Sequence, residues 1–210
     1  MKSNSNSNDD IKAIKSMMER SSRFLSLSGL SGISAGIIAL IGAAIAHHLL
    51  ESVKTDDPGL LYFLRPFPFG EIIMPLVILA FSVLVLALAS AIFFSWRKAR
   101  KQNLSLWVPA TKRLLTHLFI PLIAGGFFVL ILIDQNAEIL VASATLIFYG
   151  LALINAGKFT FGEVHYLGVS EIVLGIAAGI FVNYGLLFWA IGFGVLHIVY
   201  GFVMYFRYER

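Results

Sequence analysis

The stretch IIMPLVILAFSVLVLALASAIFFSW, residues 72–96, contains no charged side chain over its whole length. Crossing a hydrocarbon core of about 30 Å takes roughly 20 helical residues, so this stretch predicts a transmembrane helix. Further apolar stretches of comparable length occupy residues 27–50, 114–133, 139–156, 164–182 and 184–206. The sequence therefore predicts an all-α, polytopic membrane helix bundle with six transmembrane helices.

The composition supports a membrane protein and excludes several other classes. Hydrophobic residues make up 58% of the chain and charged residues 13%, against about 45–50% and about 25% in soluble domains. The net charge of +4 does not indicate nucleic-acid binding, because the basic residues lie between the apolar stretches rather than along one polar face. The absence of cysteine excludes disulfides and thiolate metal sites. The expected partner is the lipid bilayer.

The two ends of the chain differ from the predicted spans. Residues 1–10 form a Ser/Asn-rich tract with nothing to bury, which predicts a disordered tail. Residues 11–26 place apolar side chains at helical spacing, which predicts an amphipathic helix on the membrane surface, or alternatively a soluble extension of the first span. Residues 207–210 are expected to form a short tail after the last span.

The distribution of positive charge predicts the orientation of the bundle. Of the 16 Lys and Arg residues, all but Lys54 and Arg65 lie before the first span, after the last one, or between spans 2 and 3 or 4 and 5. Cytoplasmic loops of membrane proteins carry an excess of Lys and Arg. Both termini are therefore expected to be cytosolic.

The spans show signs of an internal repeat. The segment SGLSGISAGIIALI, residues 28–41, aligns with LGVSEIVLGIAAGI, residues 167–180, so that Gly29 matches Gly168. A second alignment sets Gly36 against Gly126 in span 3, and Tyr-Gly pairs at 149–150 and 200–201 relate spans 4 and 6. These matches favour three parallel helical hairpins.

Among the ionisable residues inside predicted spans, where an unpartnered charge costs on the order of 2.5–3.5 kcal/mol, Glu171 and His197 stand out. Glu171 belongs to span 5 and His197 to span 6. In an antiparallel hairpin that turns near residues 183–185, the two residues are equally far from the turn. Both also lie on faces rich in glycine and alanine, so we expect the two side chains to meet inside the bundle.

Spans 3 and 4 extend this prediction to three more polar residues. When these spans pair, His117 lies opposite Asn155 near the inner surface, while Tyr149 reaches the depth of Glu171. The hypothesis is a polar track that leads from His117 and Asn155 through Tyr149 to Glu171 and His197.

The chemistry of an acid facing an imidazole leaves several functions open. Desolvation favours the neutral forms of both groups and mutual attraction favours the ion pair, so such a site could bind or transport a proton, an ion or a small polar solute. Alternatively, the polar residues hold helices together in a non-catalytic accessory or scaffolding subunit with a membrane-protein partner or a second copy. A third reading is an intramembrane metal or haem enzyme.

Cofactor binding has weaker support in the sequence. His47, His48 and Glu51 are spaced so that one helix face could offer them to a metal ion outside the membrane, although histidines at a helix end are more often interfacial. No HExxH, GxSxG, Walker A or GxGxxG pattern occurs. No cofactor is therefore predicted, and no residue is assigned a catalytic role.

Three stretches resemble a known group of membrane proteins. They are SSRFLSLSGLSGISAG from Ser21, LIFYGLALINAGKFT from Leu146 and YGLLFWAIGFGVLHIVYGFVMYFRYER from Tyr184. Most of the chain after Arg20, though not the loop at residues 51–71, is similar to a family of uncharacterised six-span bacterial inner-membrane proteins. The resemblance implies a location in the bacterial cytoplasmic membrane, but no activity, cofactor or site residue.

Overall fold

A computed structural model describes residues 27–54, 73–103, 105 and 107–210. The predicted tail at residues 1–10 and the predicted amphipathic helix at residues 11–26 lie outside the described residues. Six helices are long and apolar enough to cross a membrane, and the described residues contain no strand. The predicted class, an all-α bundle of six membrane-spanning helices, is confirmed.

The six helices are labelled α1 to α6 in chain order. Two of them begin with a 3₁₀ turn: α4 at Glu138–Leu140 and α6 at Val182–Tyr184. The bounds are α1 Gly29–Lys54, α2 Ile73–Lys101, α3 Pro109–Asp134, α4 Glu138–Gly157, α5 Gly162–Ile180 and α6 Val182–Tyr208.

Several helices extend beyond the apolar stretches that predict them. Helix α2 continues to Lys101, because straight-chain basic residues favour helix and can reach water from its last turns. Helix α3 begins at Pro109 rather than residue 114, since proline fits the first helical position, where its missing N–H is not needed. Helix α6 ends at Tyr208, so the segment 207–210 is largely a continuation of the last span.

The helices form a row rather than a closed ring. Helix α1 packs between α2 and α6, helix α4 packs between α3 and α5, and both α4 and α5 contact α6. Contacts of Lys98 with Leu27 and Glu209 place the start of α1 beside the ends of α2 and α6. This end of the bundle is called the basic end. Helices α2 and α3 lie at the two ends of the row, and in their most apolar stretches no residue of α2 and few residues of α3 are fully buried.

Close glycine contacts join α1 to α6 and α5 to α4 in the same way. A β-carbon placed on Gly201 would lie 2.6 Å from the carbonyl oxygen of Gly29, and one on Gly150 would lie 2.6 Å from that of Gly168. Gly29 and Gly168 are matched by the repeat, as are Gly201 and Gly150. The two helix pairs are therefore equivalent, which agrees with the internal repeat.

A second set of contacts repeats in the same register. A β-carbon on Gly36 would lie 2.7 Å from Ile198 Cγ1, and one on Gly175 would lie 2.6 Å from Ile147 Cγ1. In α3 the matching glycine is Gly126, and no atom of the described residues lies within 4 Å of its β-carbon position. Gly36 and Gly175 thus each pack against an isoleucine of a neighbouring helix, whereas Gly126 makes no such contact with the described residues.

Candidate functional site

Glu171 lies at the centre of the bundle on α5. Its side chain has 0% exposure, and it faces Gly192 of α6 and is packed near Leu146 of α4. Neither carboxyl oxygen has a hydrogen-bond partner among the described residues. Buried polar groups in proteins are nearly always hydrogen-bonded, because burying one without a partner costs several kcal/mol. An unpartnered buried acid is therefore the feature of this structure that most needs a functional explanation.

His197 stands beside Glu171 on α6. Its Nδ1 lies 3.0 Å from the backbone oxygen of Gly192 and 3.5 Å from Oε1 of Glu171. A carbonyl oxygen can only accept, so Nδ1 carries a hydrogen and donates it to Gly192. In the neutral imidazole Nε2 is then an acceptor, and the hydroxyl of Tyr149, at 2.7 Å, donates to it. The three residues Glu171, His197 and Tyr149 are called the triad.

A π-helical segment in α6 shapes the triad. The segment covers Ala190–Leu196, and His197 follows it directly. The carbonyl of Gly192, which belongs to this segment, accepts from Nδ1 of the His197 side chain five residues later. A β-carbon on Gly192 would collide with Oε2 of Glu171 and with the side chain of Leu146. Glycine at this position leaves the space that the acid occupies, and π segments of this kind are frequent at functional sites.

Packed side chains surround the triad. The ring of Phe193 lies 4.9 Å, between centroids, from Tyr149 and 4.9 Å from Trp189. A cluster of buried aliphatic side chains lies between the triad and the basic end. It consists of Leu153, Val164 and Leu167, and Leu196 and Tyr200 pack against it. Two cavities on the described surface lie elsewhere. In the conformation described here Glu171 and His197 are buried, whereas Tyr149 is partly exposed.

The structure does not bring Asn155 or His117 to the triad. Asn155 lies on α4 six positions beyond Tyr149, a rise of about 9 Å along the helix. His117 is exposed on α3, and its ring stacks on Phe159 at 4.9 Å. No hydrogen bond or ring contact joins either residue to the triad within the described ranges. Of the five residues predicted to form a polar track, Glu171, His197 and Tyr149 meet.

The candidate metal ligands predicted from the sequence lie at the end of α1 that is farthest from the basic end. His47 Nε2 is 3.4 Å from Glu51 Oε1, and both side chains are more than half exposed. His48, next to His47, is also exposed. In the part of the chain that the structure describes, no group of three or more His, Cys, Asp or Glu side chains is placed to hold a metal ion.

A second polar cluster, which the sequence analysis does not predict, closes the basic end. Lys98 donates to the carbonyl of Leu27 at 2.7 Å and lies 3.4 Å from Oε1 of Glu209. The same carboxylate accepts from the backbone N–H of Gly29 and, at 3.2 Å, from the hydroxyl of Ser28. Glu209 thus caps the first turn of α1 and neutralises a lysine of α2. This cluster is called the clasp.

The sequence indicates one part of the clasp, the start of α1. Ser28 followed by Gly29 is a typical start of a helix, with unpaired N–H groups that favour a nearby carboxylate. Nothing local indicates that the carboxylate comes from Glu209, at the far end of the chain. Lys98 is likewise hidden within a run of basic residues whose other members face outward.

Removing the hydroxyl of Tyr149 tests whether it supports His197. We expect Tyr149→Phe to lower the free energy of unfolding by about 0.6 kcal/mol, the average for a side-chain hydrogen bond inside a membrane protein. Tyr166→Phe, at an exposed position on the neighbouring helix, is the control and should change nothing. Thermal unfolding of both variants in detergent measures the difference, and equal stability of the two variants would contradict the Tyr149–His197 bond.

Comparison with protein-family models, with curated proteins and with solved structures finds no match. The resemblance to six-span inner-membrane proteins therefore stays a prediction, and the triad is the basis for assigning a function.

Proposed function

We propose that this chain is a multi-pass protein of the bacterial cytoplasmic membrane that binds a proton at Glu171, His197 and Tyr149 and moves it across the membrane. One observation carries the proposal: both oxygens of Glu171 are buried and have no hydrogen-bond partner among the described residues. An ionised carboxylate in such a place is far more costly than a neutral acid. The surroundings therefore favour binding of a proton to this group.

His197 supplies a second place for the same proton. The ring nitrogen 3.5 Å from Glu171 is Nδ1, which already carries a hydrogen, so a proton that leaves the acid has to be taken up at Nε2, on the Tyr149 side of the ring. The imidazolium that results lies next to the carboxylate. The hydroxyl of Tyr149 donates to a neutral Nε2 and, after its hydrogen has turned away, accepts from a protonated one. The triad can thus exist in two arrangements that differ in where one proton lies and in the direction of the Tyr149 hydroxyl.

The tight packing favours a proton over a larger ligand. Oε2 of Glu171 lies so close to Gly192 that a single added carbon could not be accommodated. Leu146 fills the adjoining space and is itself fully buried. A polar solute would have to displace these side chains, whereas a proton needs no additional volume.

Exchange of the proton requires the bundle to open. Leu153, Val164 and Leu167 separate the triad from the basic end, and water must pass them before the proton can leave on that side. The π segment Ala190–Leu196 contains Gly192 and Gly194, and a change of its winding would move His197 relative to Glu171. We assign the opening step to this segment.

Replacement of Glu171 by glutamine tests the proposal. The purified chain is reconstituted in liposomes that enclose a pH-sensitive dye, and proton uptake is followed under an imposed pH gradient. We expect uptake by the wild type and at least a tenfold lower rate for Glu171→Gln, because the amide cannot take up or release a proton in this range. Glu163→Gln is the matched control, since Glu163 lies on the same helix but pairs with Arg207 at the basic end.

A second measurement separates binding from transport. Infrared difference spectra between acidic and alkaline samples should show the band of a protonated carboxylic acid in dry surroundings, absent from Glu171→Gln. Wild-type flux equal to that of empty liposomes would remove the transport part of the proposal. A carboxylic-acid band that persists in Glu171→Gln would remove proton binding at this site.

A further inference from the structure

The last turns of α2 present an aromatic and basic surface that is independent of the triad. Phe93, Trp96, Arg97, Arg100 and Lys101 follow one another at intervals of three, one, three and one residues, which places all of them on one face of the helix. They line an open cavity of about 470 Å³. This set of five residues is called the α2 stripe.

The cations of the α2 stripe have no anionic partner on the described surface. Lys98, which lies between them in sequence, faces the opposite way and pairs with Glu209. Arg207 likewise pairs with Glu163. By contrast, the described residues offer no carboxylate to Arg97, Arg100 or Lys101, and Arg100 lies 5.3 Å from the ring centroid of Trp96. Three positive charges thus converge on one cavity without an acid to neutralise them.

The order of side chains along the α2 stripe matches the order of groups in a lipid. Phe93 and Trp96 are about half exposed at the end of the apolar part of α2, and the cations lie roughly one turn, or about 5 Å, beyond them. Aromatic residues prefer the level where acyl chains meet headgroups. Guanidinium groups one turn farther out then reach phosphate oxygens, which they bind with paired hydrogen bonds.

We propose that the α2 stripe binds an anionic phospholipid, with the acyl chains against Phe93 and Trp96 and the headgroup phosphate held by Arg97, Arg100 and Lys101. Each Lys or Arg in a basic cluster at the end of a membrane helix raises the affinity for anionic lipid roughly fivefold. A headgroup with two phosphates, which matches more of the three cations, should bind more tightly than one with a single phosphate.

The test compares two variants with the same loss of charge. Full-length protein is placed in phosphatidylcholine nanodiscs that contain phosphatidylglycerol or diphosphatidylglycerol, and the lipids that remain bound after extraction are counted by native mass spectrometry. In the test variant, glutamine replaces Arg97, Arg100 and Lys101. In the control variant, glutamine replaces Lys112, Arg113 and Lys158. We expect anionic-lipid binding to fall by on the order of 100-fold in the first variant and by less than fivefold in the control.

Four results would overturn the proposal. An equal fall in both variants would mean that the basic residues act only through overall charge, as topology signals do. Wild-type binding no stronger than that of phosphatidylcholine would remove the site. Displacement of bound lipid by inorganic phosphate alone would show a general anion site that does not use the aromatic residues. A variant with Arg97 and Arg100 replaced by lysine keeps the charges, although it loses the paired hydrogen bonds, and should bind anionic lipid more tightly than the glutamine variant. Binding as weak as that of the glutamine variant would also contradict the lipid site.

Discussion

Alanine at Gly36 or Gly175 should lower the free energy of unfolding by about 2–3 kcal/mol, whereas alanine at Gly126 should not lower it. The first two glycines face the backbone of α6 and α4, which cannot move aside without separating the helices. Gly126, at the matching position of the repeat, faces open space. There the added methyl group meets nothing, and alanine favours helix over glycine by up to about 1 kcal/mol.

Thermal unfolding of the three variants in one detergent measures this difference. Because the substitution and the type of residue are identical, intrinsic helix propensity cancels and the packing of each glycine decides the outcome. Loss of stability at Gly126 that equals the loss at Gly36 would mean that α3 packs against a further helix in the purified protein. Unchanged stability at both Gly36 and Gly175 would contradict the equivalent helix pairs.

Removal of the Glu209 carboxylate should lower the free energy of unfolding by about 4 kcal/mol. The side chain of Glu209 is 12% exposed and that of Lys98 7%, so the pair is largely shielded from water. Breaking a buried pair costs about 3–5 kcal/mol, because one charge is left without a partner. Glu209→Ala also removes the acceptor for the first N–H of α1. Loss of a helix cap lowers the free energy of unfolding by about 1 kcal/mol more.

A second substitution identifies the source of this loss. In Glu209→Ala combined with Lys98→Met, no unpaired charge remains, and part of the stability should return. Arg210→Ala, next to Glu209 but exposed, serves as the control with no expected change. Equal stability of the single and double variants would show that the cap on α1 accounts for the effect and the ion pair does not.

The sequence predicts the class of the fold because the lipid core imposes a length on every apolar stretch. Each helix in the structure contains one of the six predicted stretches or nearly all of it, as α2 does with residues 72–96. The meeting of Glu171 and His197 follows from the same constraint, since α5 and α6 are antiparallel neighbours joined by a short turn. The depth of a residue in the membrane follows from its distance along the helix. Residues distant in sequence can therefore be predicted to lie at the same depth.

Rotation about a helix axis is harder to predict than depth. His117 is exposed and stacks on Phe159 rather than joining the triad, because which side of α3 faces the bundle depends on packing that periodicity does not decide. The π segment of α6 has no pattern that separates it from an α-helix rich in glycine. The clasp, finally, joins residues from the two ends of the described chain.

The repeated pairing of α1 with α6 and of α5 with α4 also limits how the protein could act as a carrier. Because α1 and α5 both begin at the basic end, the repeats run in one direction and are not inverted copies of each other. Carriers built from inverted halves reverse the exposure of their site when the halves exchange conformations. Other carriers are built from parallel repeats, and the hairpins of this chain belong with that kind. With a single acid in the triad, each cycle would carry one elementary charge.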